Sequence, residues 1–273
     1  MNKGITMPKI IYGTAWKKEK TASLVVKAIK RGFRGIDTAC QPRHYFEPGV
    51  GQAFKELEKI GIPRDEIYIQ TKFTPLSGQD PNNIPYNPHA PLYKQVLESF
   101  AVSQKNLGTI YIDALILHSP LRTHQETMEA WKAMEEIVSR SGVKQLGISN
   151  CYDLSEMQQL YDDATVKPTI LQNRFYRETN FDTALRKWCN EKNIVYQSFW
   201  TLTANPQILQ SSVITAICSS YNKTPAQVLF RYLTQLGVVP LTGTTSDVHM
   251  VEDLAIFQFE LTVADIEKIH LLF

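Results

Sequence analysis

The feature that most restricts this chain is its rhythm: a short, mostly apolar run recurs eight times, each time followed by a stretch of helical periodicity. The runs are Lys9–Tyr12, Gly35–Thr38, Ile67–Thr71, Ala114–Leu117, Gln145–Ser149, Thr169–Gln172, Ile194–Ser198 and Val238–Leu241. They have the length of strands, and they are mostly apolar rather than alternating, as strands covered on both faces are. Helical patterns span about 21–32, 49–60, 91–106, 124–140, 153–162, 180–192, 207–220 with 225–236, 246–254 and 262–271. In the fourth, Met128, Trp131, Met134, Glu135 and Val138 mark one face. Asp153, Thr224-Pro225 and Thr262-x-x-Asp265 have the chemistry of helix starts. Eight βα units predict an α/β chain folded as a (β/α)8 TIM barrel, one domain over residues 1–273. An open doubly wound sheet is the main rival. The loop after the first strand reads Gly13-Thr14-Ala15-Trp16 and contains no G-x-G-x-x-G, so a dinucleotide bound here is not held in the Rossmann manner.

Composition excludes several partners. Lys+Arg 29 against Asp+Glu 27 leaves a net charge of +2 without basic blocks, which gives no footprint for nucleic acid or an anionic membrane. The longest apolar runs, Tyr111–Leu117 and Ile194–Trp200, fall far short of a bilayer span. Met1–Pro8 lacks the pattern of a signal peptide. Cys40, Cys151, Cys189 and Cys218 are scattered without metal-ligand or disulfide spacing. These points together predict a cytoplasmic protein with reduced thiols and no metal. Ser77–Pro91 is turn-rich and is expected at the rim of the barrel.

In such barrels the working residues stand at the C-terminal ends of the strands. This sequence places Asp37, Lys72, His118, Ser149-Asn150 and Gln172-Asn173 there. A carboxylate, an ammonium and an imidazole at one mouth are costly to desolvate for stability alone. The segment Arg43-His44-Tyr45-Phe46-Glu47 adds a proton donor. A phenol is a poor acid near pH 7, and a neighbouring ammonium, itself held by a carboxylate, lowers its pKa. Asp37, Lys72 and Tyr45 have the chemistry for that relay.

At these residues the sequence resembles the aldo-keto reductases. The matching segments are KIIYGTAW, GFRGIDTA with HYFE, IYIQTKF, DALILHSP, LGISN, LQNRFY, NIVYQSFWTL and LTGTTSDVHMVEDL, in order along nearly the whole chain. The resemblance implies a barrel that binds NADPH across its mouth and reduces a small-molecule carbonyl substrate. It implies a catalytic tetrad of Asp37, Tyr45, Lys72 and His118, with Tyr45 as general acid and His118 orienting the carbonyl. Ser149, Asn150 and Gln172 would then hold the nicotinamide carboxamide, and Phe199 replaces the usual tyrosine stacked on the ring. Leu202 and Thr203 would lie along the pyrophosphate, with Gly13 and Thr14 approaching from the first strand. Glu252 and Asp253 fit the adenine-contacting positions.

The departures from the family pattern carry their own expectations. Asp37 and Tyr45 are eight apart where the family has five, which implies a three-residue insertion within Gln41–His44. HYFE is close to the family's Tyr-x-x-Glu, and His44 is the alternative donor. Gly243 and His249 fall where a Lys and an Arg commonly bind the ribose phosphate, leaving Thr244, Thr245 and the helix near Ser246 to do so. NADPH remains the first choice of cofactor, with NADH as the alternative. The short link Ser119–His124 and the chain end at Phe273 imply a wide pocket, walled by Trp16, Phe46, Phe73 and Trp200. The expected assembly is a monomer or weak homodimer. Two rival readings are a redox-sensing regulatory subunit that retains NADPH with slow turnover, and a barrel that uses Lys72 as a Schiff-base lysine.

Overall fold

The structure is a computed structural model and describes residues 6–273. Most of the Met1–Pro8 segment considered above therefore lies outside the described residues. The strands are β1 (Ile11–Gly13), β2 (Gly35–Asp37), β3 (Tyr68–Phe73), β4 (Ile112–Leu117), β5 (Val143–Ser149), β6 (Ile170–Arg174), β7 (Val195–Phe199) and β8 (Val239–Thr242). All eight pair in parallel in sequence order, and β8 closes on β1 through Ile11↔Leu241. The barrel expected from the rhythm is the barrel observed.

The helices are α1 (Thr21–Arg31), α2 (Glu47–Lys59), α3 (Leu92–Leu107), α4 (His124–Ser139), α5 (Leu154–Asp163) and α6 (Thr183–Glu191). They continue as α7 (Pro206–Leu209), α8 (Ser212–Tyr221), α9 (Pro225–Gln235), α10 (Asp247–Leu254) and α11 (Val263–His270). Thr224 and Gln227 form a full capping box, and Asp153 caps α5 through the amides of Ser155 and Glu156. Each such cap contributes about 1 kcal/mol. At α11 the box is incomplete. Asp265, one methylene shorter than Glu, takes the Thr262 hydroxyl at 2.6 Å instead of reaching back to the Thr262 amide. In α4 the buried face is Thr127, Ala130, Trp131, Ala133, Met134 and Ile137, whereas Glu135 turns outward to accept the amides of Thr165 and Val166.

Strand side chains alternate between two cores. Ile36, Ile69, Phe73, Leu115, Leu117 and Ile148 face the helices in the large outer core. Ile11, Tyr68, Ala114, Ile116, Ile170 and Val239 plug the inside of the barrel. Above that plug the inward positions turn polar: Asp37, Gln70 and Lys72, then Gln172 and Gln197. The change from apolar to polar along one inward face places a buried charged layer under the C-terminal mouth. The Ser77–Pro91 segment folds over that rim, where Tyr86 donates to the Thr74 carbonyl at 2.7 Å and packs its ring on Phe73.

Candidate active site

Lys72 is fully buried and donates to both Asp37 oxygens, at 2.6 and 2.7 Å, and to the Thr38 carbonyl at 2.9 Å. All three ammonium protons are thereby used. Asp37 Oδ1 also accepts Gln70 Nε2 at 2.7 Å and Gln172 Nε2 at 3.0 Å, and both amides donate to Gln197 Oε1 at 2.8 Å. Gln70 and Gln197 were not singled out from the sequence. Their inward parity, two residues before Lys72 and in register with Gln172, is the signal that marks them.

Tyr45 arrives through the turn that the extra residues build. The Gln41 carbonyl accepts both the His44 amide, at 3.1 Å, and the Tyr45 amide, at 3.0 Å, while Gln41 itself is tied to the Gly78 carbonyl at 2.7 Å. The result sets the Tyr45 ring with its centroid 5.0 Å from Lys72 Nζ and 6.1 Å from the His118 ring, edge on. His44 lies aside, its ring 4.0 Å from that of Trp16. His44 stands three residues before Glu47 and Tyr45 two, so HYFE matches the family's Tyr-x-x-Glu closely but not in full. The fold sets the Tyr45 ring beside Lys72 and His118.

The phenol does not behave as the relay argument expected. Burial, reinforced by the Asp37 carboxylate, raises the Tyr45 pKa well above 10. The reason is that Lys72 is neutralised by Asp37, so the ammonium gives the phenolate no net help. Burial also lowers the Lys72 pKa, against the upward pull of Asp37. His118 is pushed well below 6.5 by burial and then by the Lys72 charge, which leaves a neutral imidazole near pH 7. Its Nδ1 is 2.6 Å from the Thr74 hydroxyl, and its backbone carbonyl accepts Asn150 Nδ2 at 2.8 Å.

The remaining expected residues divide by strand parity. Ser149, Gln172 and Phe199 face inward at the mouth, with Ser149 donating to the Gln172 carbonyl at 2.7 Å. Gly13 and Gly243 hold the corresponding positions on β1 and after β8. A Cβ at Gly13 would meet only the Thr242 carbonyl, at 3.6 Å, and one at Gly243 only Lys17 Nζ, at 3.9 Å. Neither position carries a side chain, at the edge of the mouth where β8 pairs with β1. Thr203, Thr245 and His249 are exposed along the same rim, and Leu202, Thr244 and Glu252 are partly so.

Two expectations are corrected. Phe73 follows the inward Lys72 and must face outward; it is 1% exposed in the outer core and forms no wall of the mouth. Asp253 is buried, with Oδ2 accepting the Thr242 hydroxyl at 2.7 Å, and burial raises its pKa to about 6. It is turned into the barrel wall, where its Oδ2 is committed to Thr242. Trp16, Phe46 and Trp200 do stand in solvent, at 60%, 41% and 50% exposure. Trp16 and Phe46 line a cleft of about 300 Å³ that reaches Tyr45.

One cation was missed. Lys17 is buried and donates to the Gly243 carbonyl at 2.7 Å, and desolvation lowers its pKa to about 8. Among the described residues no carboxylate pairs with it. It places a positive charge where the sequence has lost one.

The chain is similar to known proteins along nearly its whole length. Residues 9–272 match the family model described as Aldo/keto reductase family. The glyoxal reductase of Bacillus subtilis is 29% identical, over 100% of this chain and 91% of its own length. An aldo-keto reductase from a deep-sea metagenome superposes with a TM-score of 0.83 at 26% identity, over 98% of this chain and 92% of that one. A variant of Gox0644 solved in complex with NADPH gives 0.80 at 26% identity, over 98% and 90%. With a family match across almost its whole length and a buried acid–lysine pair beneath the mouth of its closed barrel, the chain belongs to the aldo/keto reductase family of oxidoreductases.

Proposed function

We propose that this protein reduces small aldehydes and ketones to alcohols, using NADPH and a proton from Tyr45. The observation that carries this reading is the convergence of the Tyr45 ring on Lys72 and on the neutral His118 at the barrel mouth. An extended dinucleotide would cross the mouth at Gly13 and Gly243, where no side chain branches from the backbone. Phe199 would cover one face of the nicotinamide. Ser149, Asn150 and Gln172 would take its carboxamide, to which Gln172 offers Oε1, since Nε2 is already committed. Lys17, Thr244, Thr245 and the start of α10 would take the phosphates, with Lys17 standing in for the side chain that Gly243 lacks. The bound cofactor supplies hydride to the carbonyl carbon.

The chain's own residues then handle the oxygen. With Nδ1 taking the Thr74 hydroxyl proton as a hydrogen bond, His118 would carry its own proton on Nε2 and donate it to the carbonyl oxygen. Tyr45 protonates that oxygen as negative charge develops. An alkoxide is a far stronger base than a phenolate, which favours transfer of the Tyr45 proton to it. The raised phenol pKa thus keeps the donor loaded at every physiological pH. The phenolate left behind is disfavoured by burial and by Asp37, so it would be reprotonated readily before the next turnover. With its three protons committed, Lys72 is not placed to attack a carbonyl, which disfavours the Schiff-base reading.

Glyoxal and methylglyoxal are suitable first substrates. Oxidation of NADPH, followed by absorbance, should match alcohol formed one for one. Tight NADPH binding without turnover on any aldehyde of a broad panel would overturn the proposal and favour the regulatory reading. Gly243 and His249 imply an NADPH over NADH preference below about a thousandfold, or about 4 kcal/mol, measurable by fluorescence titration of each cofactor.

A further inference from the structure

Arg174 ends β6 in register with Phe199 on β7. Gln172, two residues earlier, points inward to Asp37, and Asn173 points outward to Asp182 and the Cys151 carbonyl. By strand parity Arg174 therefore faces the mouth, beside the ring assigned to the nicotinamide. Its guanidinium carbon lies 4.2 Å from the centroid of the Trp200 ring and 5.1 Å from that of Tyr176. Among the described residues it has no carboxylate partner and no side-chain hydrogen bond.

A planar guanidinium flanked by aromatic rings uses its faces for those contacts and leaves its N–H edge free. That edge is a fork suited to two oxygens of one anion. Trp200 keeps its side of the stack from a left-handed backbone, φ 56°, a conformation costly for a bulky residue and maintained only where the surroundings impose it. The Tyr152 hydroxyl, accepting the Arg174 amide at 3.2 Å and donating to Asn150 at 3.2 Å, ties the same residue to the mouth.

We propose that Arg174 binds an oxyanion at the mouth of the barrel, so that the protein favours carbonyl compounds bearing a carboxylate or phosphate group. This rests on the proposed carbonyl reduction. The same chemistry could be satisfied by the cofactor's diphosphate, and the test separates the two sources. The probes are 4-carboxybenzaldehyde and its neutral carboxamide analogue, compared by kcat/KM, together with NADPH titrations. The wild-type protein should favour the carboxylate at least tenfold, and Arg174→Met should collapse that ratio to near one. Arg174→Lys, which keeps the charge but loses the fork, should recover only part of it. An NADPH Kd raised tenfold in Arg174→Met with the aldehyde ratio intact assigns the oxyanion to the cofactor. If the ratio and the Kd both stay within twofold of wild type, the cation only packs the aromatic rings and the proposal fails. Should the wild-type protein reduce neither aldehyde, the carbonyl-reduction reading fails instead. The present proposal is then decided by quenching of tryptophan fluorescence with benzoate against benzamide: preference for benzoate that is lost in Arg174→Met supports it, and equal binding overturns it.

Discussion

Two buried carboxylates flank neighbouring residues of β3, and their surroundings could hardly differ more. Inside the barrel, Asp37 holds the Lys72 ammonium and two glutamine amides. Outside it, behind Thr71, the partners of Glu47 among the described residues are neutral: the Thr71 hydroxyl at 2.5 Å, Ser103 at 2.9 Å and Asn106 at 3.2 Å. Burial raises the Glu47 pKa despite these donors. Glu47 reaches α3 because Gly51 lets the helices touch; a Cβ there would lie 2.1 Å from the Asn106 carbonyl. The outer acid clamps α2 to the wall two residues after Tyr45, and the inner one fixes a charge beneath the mouth. A buried carboxylate with a cation invites chemistry, whereas one with hydroxyls and an amide holds architecture.

Breaking the inner pair should have the largest effect. Lys72→Met leaves Asp37 charged and buried, which costs about 3–5 kcal/mol. Denaturant melts should register that loss, and carbonyl reduction should fall by about a thousandfold. A variant as stable as wild type would mean that Asp37 is not held as an ion.

Lys17 sharpens the contrast, being a buried cation whose observed partner is a carbonyl rather than a carboxylate. Lys17→Met should weaken NADPH about tenfold, some 1.4 kcal/mol. In the wild-type protein the NADPH Kd should rise as pH passes about 8, where Lys17 loses its proton, and the variant should lose that dependence. An unchanged Kd would remove Lys17 from the cofactor site.

The outer acid should give the smallest effect. A raised pKa means that the folded state prefers protonated Glu47, so its contribution to stability is full below the unfolded pKa and fades as pH rises through the folded value. Glu47→Gln mimics the protonated form and should lie within about 1 kcal/mol of wild type near pH 4, gaining on it towards pH 8. A loss that grows with pH would show that the charged form is the stabilising one.

The eight strands and the polar residues that end them were legible because apolar run length and turn chemistry are local signals. Facing was legible only through parity, and where parity was ignored the assignment failed. Lys72 and Phe73 are adjacent on one strand and cannot both face the mouth. The same count from Gln172 would have marked Arg174. Lys17 was invisible, since its partner is a backbone carbonyl 226 positions away. The course of the inserted turn was equally hidden: the sequence put Tyr45 first and His44 second, but gave no sign of the paired amides of His44 and Tyr45 on the Gln41 carbonyl that carry the chain to the mouth.

That choice is the centre of the account, and Tyr45→Phe measured beside His44→Gln tests it most directly. The phenol makes no hydrogen bond among the described residues, so its removal should leave stability and NADPH affinity within about twofold of wild type. Loss of the proton donor should lower kcat for carbonyl reduction by roughly 10²–10⁴, with His44→Gln losing less than about tenfold. A Tyr45→Phe protein that keeps its kcat, beside a His44→Gln protein that loses it, would contradict the assignment and make the histidine the donor.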